Sequence, residues 1–177
     1  MTRFATIARQ TAETDIAVNL TIDGVGKSQI STGIGFLDHM LNLWSKHGLF
    51  DVVVNVNGDL AVDGHHTVED TGIVLGQALA KALGDKSGIK RYGTAFVPMD
   101  EALVMVSLDI SGRPYLVFEA AIPAQRIGNL DSELVEEFLR ALAVHAGLTL
   151  HVRLLSGKNS HHIVEAIFKA LGRALDE

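Results

Sequence analysis

Polar and apolar residues alternate over positions 16–22, with the period of two that a half-buried strand requires. Asp23-Gly24 supplies a turn, and a short second strand is expected after it. From Phe36 to Lys46 the spacing changes. Apolar residues stand at 36, 37, 40, 41, 43 and 44, the recurrence of an amphipathic helix. Positions 51–56 read as a strand, and 67–83, apolar at 68, 73, 75, 79 and 83, as a second helix. The succession then returns. Positions 103–110 and 115–121 are strand-like and flank the Ser111-Gly112 turn. Asp131 is placed to cap a helix running to Ala146, 148–155 is a strand, and 163–175 is a closing helix. The pattern predicts an α+β fold of two duplicated ββαβα halves, each a two-layer sheet and helix sandwich. The halves, about 1–90 and 91–177 with a join near 84–93, are expected to form one compact subunit. The sheet faces away from the helices need cover, so self-association is expected.

The duplication is also written in the letters. His65-His66-Thr67-Val68-Glu69 recurs as His161-His162-Ile163-Val164-Glu165, and Leu75-Gly76-Gln77-Ala78-Leu79 as Leu171-Gly172-Arg173-Ala174-Leu175, both 96 residues downstream. Phe36-Leu37-Asp38-His39-Met40-Leu41 is echoed more faintly by Leu134-Val135-Glu136-Glu137-Phe138-Leu139, 98 residues on, so His39 corresponds to Glu137. A loop change of two residues between the blocks reconciles the offsets.

Composition narrows the function classes. The 177 residues are 47% hydrophobic and 20% charged, a globular balance rather than a disordered or fibrous one. Lys and Arg number 15 against 21 Asp and Glu, a formal charge of −6. That sign argues against a nucleic-acid-coating surface and allows a local basic pocket for a phosphate. With no cysteine, disulfide frameworks, thiol nucleophiles, iron–sulfur clusters and thiolate zinc sites are excluded. The N-terminal stretch carries Arg3, Arg9, Glu13 and Asp15 without an apolar core, so no secretory leader is expected. No apolar run approaches the ~20 residues of a membrane helix. The expectation is a cytoplasmic protein with neither a membrane nor a nucleic acid as partner.

Four of the 8 histidines stand in the two His-His pairs. Helix neighbours point ~100° apart, so the imidazoles of a pair suit two different ions better than one. His65 and Glu69, like His161 and Glu165, are spaced i,i+4, and His66 and Glu69 i,i+3. Imidazole with carboxylate is a mixed donor set for Mn, Fe, Co, Ni or Zn, among which donor softness does not choose. The spacing is not His-Glu-x-x-His, so the Glu need not act as a base on metal-bound water. The matched positions His39 and Glu137 are further candidate ligands. His145 and His151 read as structural, and His47 stands evenly between the two roles.

Three segments, Gly35-Phe36-Leu37-Asp38-His39-Met40-Leu41, Asp63-Gly64-His65-His66-Thr67-Val68-Glu69-Asp70 and Gly157-Lys158-Asn159-Ser160-His161-His162-Ile163-Val164-Glu165-Ala166, with Phe168-Lys169, resemble the imidazoleglycerol-phosphate dehydratases, lyases of histidine biosynthesis. The resemblance runs over essentially the whole chain. It implies a duplicated two-layer fold, a 24-mer homo-oligomeric cage and two manganese ions (Mn2+) per active site, bound between subunits. One ion would be held by His39, His66, Glu69 and His162. The other would be held by His65, His161, Glu165 and Glu137, where many relatives have histidine; a carboxylate there makes a harder manganese site. The resemblance further implies catalytic roles for Glu13 and Glu165. Substrate contacts would come from Glu13, Arg91, Arg113 and Lys169, and around the ions from His39, His47, His65, Glu69 and His161. Relatives continue past the last helix into a loop with a Ser-x-Lys-type motif that closes on the substrate phosphate. This sequence stops at Asp176-Glu177, so either that tail lies outside it or phosphate binding rests on the remaining basic residues.

The family reaction, dehydration of imidazole glycerol phosphate to imidazole acetol phosphate, accounts for such a donor set. The departing proton lies on a carbon that is not beside a carbonyl, so the substrate's imidazole has to accept the electrons. Two divalent ions lower the ring N–H pKa and favour an imidazolate, which expels the neighbouring hydroxyl. A carboxylate, Glu13 on this reading, removes the proton. Arginine suits bidentate phosphate contact. Two other classes stay open at this point. One is a dimetal hydrolase, which would want more carboxylates and a bridging Asp. The other is a non-catalytic, metal-assembled cage.

Overall fold

The computed structural model describes residues 3–177. Met1 and Thr2, within the expected span of the first pseudo-repeat, lie outside the described residues. The first half runs β1 (Phe4–Gln10), β2 (Thr14–Thr21), β3 (Ser28–Ser31), α1 (Gly35–Gly48), β4 (Asp51–Gly58) and α2 (His65–Leu83). The second runs β5 (Tyr92–Met99), β6 (Ala102–Asp109), β7 (Tyr115–Glu119), a small hairpin of β8 (Arg126–Ile127) and β9 (Leu130–Asp131), α3 (Glu133–Ala146), β10 (Thr149–Ser156) and α4 (Ser160–Asp176). Two sheets result, ordered β1-β2-β4-β3 and β5-β6-β10-β7. In each, the first two pairings are antiparallel and the last is parallel. The α+β class and the duplicated layering stand as expected.

Each half opens with one strand more than the pattern predicts, so the unit is βββαβα. The reason is visible in β5, where only Gly93 and Val97 are buried. A Cβ on Gly93 would lie 1.8 Å from the Ala174 carbonyl oxygen, so α4 leaves space for glycine alone. An edge strand pressed this closely carries no apolar alternation, and it tolerates Pro98. The two-residue loop change also has a location. Residues 59–64 separate β4 from His65, whereas only 157–160 separate β10 from His161.

Ile16, Val18 and Leu20 of β2 and Val52 and Val54 of β4 point inward, mirrored by Val104, Val106 and Leu108 of β6 and Leu150 and Val152 of β10. The helices cover both inner faces and meet in the middle, α1 on α4 and α2 on α3, so each helix pair joins the two halves. Both pairs run parallel. Gly172 late in α4 abuts Trp44 and Gly48 late in α1, and Gly76 of α2 abuts Leu142 and Ala146 of α3. Because α1 and α2 each follow a member of one parallel strand pair and fold back on the same sheet, all four helices start at the same end of the molecule. The outward faces of the sheets differ. Besides Phe4, the first shows Thr6, Ala17, Asn19 and Asn55, whereas the second shows Tyr92, Phe96 and Tyr115. Among the described residues no helix is long and apolar enough to cross a membrane.

Candidate active site

The common end of the helices gathers the histidines. The backbone N–H of His65 donates to Asp63 Oδ1 at 2.8 Å, and Asn159 Oδ1 accepts from His161 and His162 N–H at 2.9 and 3.3 Å. Asn159 thus caps the first turn of α4, whereas α2 has Gly64 at its N-cap and Asp63 takes one N–H from outside it. The helices therefore begin at or before the histidine pairs, ahead of the expected 67 and 163. A polar first turn leaves no apolar period to read.

Glu165 of α4 is only 7% exposed. Its Oε2 lies 3.0 Å from His161 Nε2 and 3.4 Å from His39 Nε2, which α1 brings from the other half. One ligand atom from each of these three residues falls within 4.8 Å of the others. The His39 and His161 ring centroids are 5.7 Å apart, and Phe36 packs edge-on against His161. Glu165 Oε1 accepts from Lys169 Nζ at 2.6 Å. Burial pushes the Glu165 carboxyl up, but the Lys169 ammonium, with His161 and His39, outweighs it and holds the group below its usual range. A buried anion facing two imidazole nitrogens is a mixed oxygen and nitrogen donor set for a divalent cation. His47 is half-buried on α1. Burial, then the charges of Lys169 and Arg173, lower its pKa.

The counterpart on α2 is more open. His65 Nε2 stands 3.5 Å from Glu69 Oε2. Glu137, the counterpart of His39, lies on α3 alongside α2 and has Arg140 Nε at 3.8 Å. Among the described residues, His39, His161 and Glu165 are the one group of three donors that closes. The resemblance groups His39 with His66, Glu69 and His162; within one chain its company is His161 and Glu165.

The second histidine of each pair meets a carboxylate from outside its helix. His66 Nδ1 lies 2.9 Å from Asp59 Oδ2, and His162 Nδ1 2.7 Å from Glu101 Oε2. These hydrogen bonds raise both imidazole pKa values against the opposing pull of burial. Glu101, hydrogen-bonded to His162 and then to the Asn159 and Lys158 N–H groups, is lowered to about 2. The sequence pattern singles out neither Asp59 nor Glu101. The signal for Glu101 lies in the turns that follow β1 and β5, the strands the pattern misses, because β2 and β6 each begin one residue after a glutamate, Glu13 and Glu101.

Glu13 is exposed at the β1–β2 turn and forms no ion pair among the described residues. Its neighbours tie that turn to α2. Asp59 N–H donates to the Glu13 carbonyl at 3.0 Å, Thr14 Oγ1 donates to Asp70 Oδ2 at 2.5 Å, and Arg9 Nη1 lies 2.6 Å from the same oxygen. Glu13 thereby sits close enough to His66 to act on its charge. Arg91 and Arg113 go elsewhere. Both approach Asp109, at 2.6 and 3.8 Å, at the far end of β6 from Glu101. At ~3.3 Å per residue that puts them roughly 25 Å from the His162 end.

A sequence model of the imidazoleglycerol-phosphate dehydratase family matches residues 32–175. The imidazoleglycerol-phosphate dehydratase of Acetivibrio thermocellus is 63% identical over 177 residues, 100% of this chain and 91% of the relative. That of Caldanaerobacter subterraneus subsp. tengcongensis is 65% identical over 175 residues, 99% of this chain and 90% of the relative. The crystal structure of the Staphylococcus aureus dehydratase superposes with a TM-score of 0.89 at 44% identity, over 98% of this chain and 96% of that one. The chain belongs to the imidazoleglycerol-phosphate dehydratase family.

Proposed function

We propose that this chain dehydrates imidazole glycerol phosphate to imidazole acetol phosphate in histidine biosynthesis, using two manganese ions per active site. The observation that carries the reading is the buried Glu165 carboxylate facing His161 and His39 at the shared end of the helices. Its donors fit a divalent ion of intermediate hardness. The ligands are His39, His65, His66, Glu69, Glu137, His161, His162 and Glu165. Within a chain only three of them close, so the rest of each coordination shell comes from a neighbouring copy. When bound, the ions lower the N–H pKa of the substrate's imidazole and let the ring accept electrons.

The chain's own groups supply the remainder. Glu13, exposed and unpaired beside His66, removes the proton from the substrate carbon. Lys169 keeps Glu165 ionised and faces the substrate, with His47 nearby. Arg91 and Arg113 offer planar forks to the phosphate. Their distance from the histidines of their own chain means that they serve the site of another. Self-association follows, and it covers Tyr92, Phe96 and Tyr115 in a 24-mer built of single-domain subunits, each from two pseudo-repeats.

Purified protein supplied with Mn2+ and imidazole glycerol phosphate should form imidazole acetol phosphate, lose the activity to a chelator and regain it with Mn2+. Release of inorganic phosphate would instead favour a hydrolase. Metal-dependent assembly without turnover would favour a structural cage.

A further inference from the structure

We propose that Glu101 and Asp59 are positioning residues that hold His162 and His66 as Nδ1–H tautomers and so present Nε2 of each ring to a metal ion. The inference rests on the metal-binding reading above. A neutral imidazole keeps its proton on one nitrogen, and only the other can ligate. An ionised carboxylate can only accept, so a ring nitrogen facing one must carry the proton.

Glu101 is fixed from both sides. Its Oε1 accepts from the backbone N–H groups of Lys158 and Asn159 at 3.1 and 2.7 Å, and its Oε2 faces His162 Nδ1 at 2.7 Å. His162 Nε2 is left with only the exposed Asp100 carboxylate, 3.7 Å away. Asp59 plays the same part for His66 at 2.9 Å, anchored by its own N–H on the Glu13 carbonyl. The first histidine of each pair is turned the other way, with His65 and His161 directing Nε2 at Glu69 and Glu165 of their own helices. Each pair thus turns its two rings in different directions, and at the first histidine of each pair an ion would take the place of the proton between Nε2 and the glutamate of the same helix.

Duplication alone does not produce this match. From the equivalence of β4 with β10 and of β2 with β6, the counterpart of Asp59 is Gly157 and that of Glu101 is Glu13. Each half places a carboxylate on the same ring nitrogen from a different loop. An inherited contact would have used one loop twice. The longer loop after β4 brings Asp59 to His66, which leaves Glu13 unpaired.

The test uses the metal-free 177-residue chain labelled with 15N in its histidine rings. Ring nitrogen shifts should report Nδ1–H for His66 and His162. In Glu101→Gln the amide oxygen turns to the two backbone N–H groups and the amide N–H₂ to His162 Nδ1, so His162 alone should invert to Nε2–H. Asp59→Ala should release His66 alone. Titration with Mn2+ alone should then show affinity weakened about 10–100-fold in each variant, the range typical of such outer carboxylates. Circular dichroism would establish that the variants are folded, and Glu101→Ala provides a second variant if Glu101→Gln is not. Unchanged tautomers, or unchanged Mn2+ affinity in both folded variants, would overturn the inference. His66→Ala and His162→Ala separate the two readings: if these also leave Mn2+ binding intact, the metal assignment itself has failed.

Discussion

A carboxylate as enclosed as that of Glu165 has lost most of its hydration. Its replacement is Lys169 Nζ at 2.6 Å together with two imidazoles. Lys169→Met would leave the anion without its cation. The variant should lose roughly 1–3 kcal/mol of stability, the cost of stranding a buried polar group. The Glu165 carboxyl should titrate at higher pH, followed by carbon NMR of that side chain. Unchanged stability together with an unchanged titration would show that the lysine has no such role. A second residue-level effect concerns pH. Arg3 holds the Asp23 carboxyl at about 2, below its ordinary 3.8. A depressed carboxyl stabilises the fold above its unfolded pKa and loses that contribution as pH falls through the folded one. The Arg3 end of β1, whose carbonyl accepts from Ile22 N–H at 2.9 Å, should therefore loosen between about pH 4 and 2. Hydrogen exchange at Ile22 checks this, and Arg3→Ala should abolish the pH step. At this scale the candidate donors were legible in the sequence, because both histidine pairs recur with their glutamates. Asp59 and Glu101 were not legible, since contacts made from non-equivalent loops leave no repeat to find.

Between elements, the distances that close the site are set by helix contact. Gly172 lets α4 approach α1 until an added Cβ would lie 2.6 Å from the Trp44 carbonyl, and Gly76 does the same for α2 against Leu142 of α3 at 2.7 Å. Gly172→Ala must push α1 outward, and His39 with it. Overpacking of this kind costs about 1–3 kcal/mol, and the variant should also bind Mn2+ more weakly. A lower melting temperature with unchanged Mn2+ affinity would separate helix packing from site geometry. The helix and inner-strand elements were readable because their buried faces carry regular apolar periods. The strands β1 and β5 were not, because β1 buries only Ala5 fully and α4 presses so closely on Gly93 of β5 that no side chain fits there, which breaks the apolar period. The first turns of α2 and α4 were hidden because a run of histidines has no apolar stripe.

For the whole molecule, the parallel helix pairs put every metal-ligating candidate at one end and leave Arg91 and Arg113 on Asp109 at the other end of β6. A site needing both sets has to be built from more than one chain. Arg113→Ala and His161→Ala chains, each inactive alone, should regain part of the activity when dissociated and reassembled together. No recovery from mixed oligomers would place all groups of a site in one chain. The most direct measurement is anomalous diffraction at the manganese absorption edge from Mn2+-loaded crystals. A peak within coordinating reach of Glu165, His161 Nε2 and His39 Nε2 is the predicted result. Manganese bound elsewhere, with those three side chains unliganded, would contradict the account.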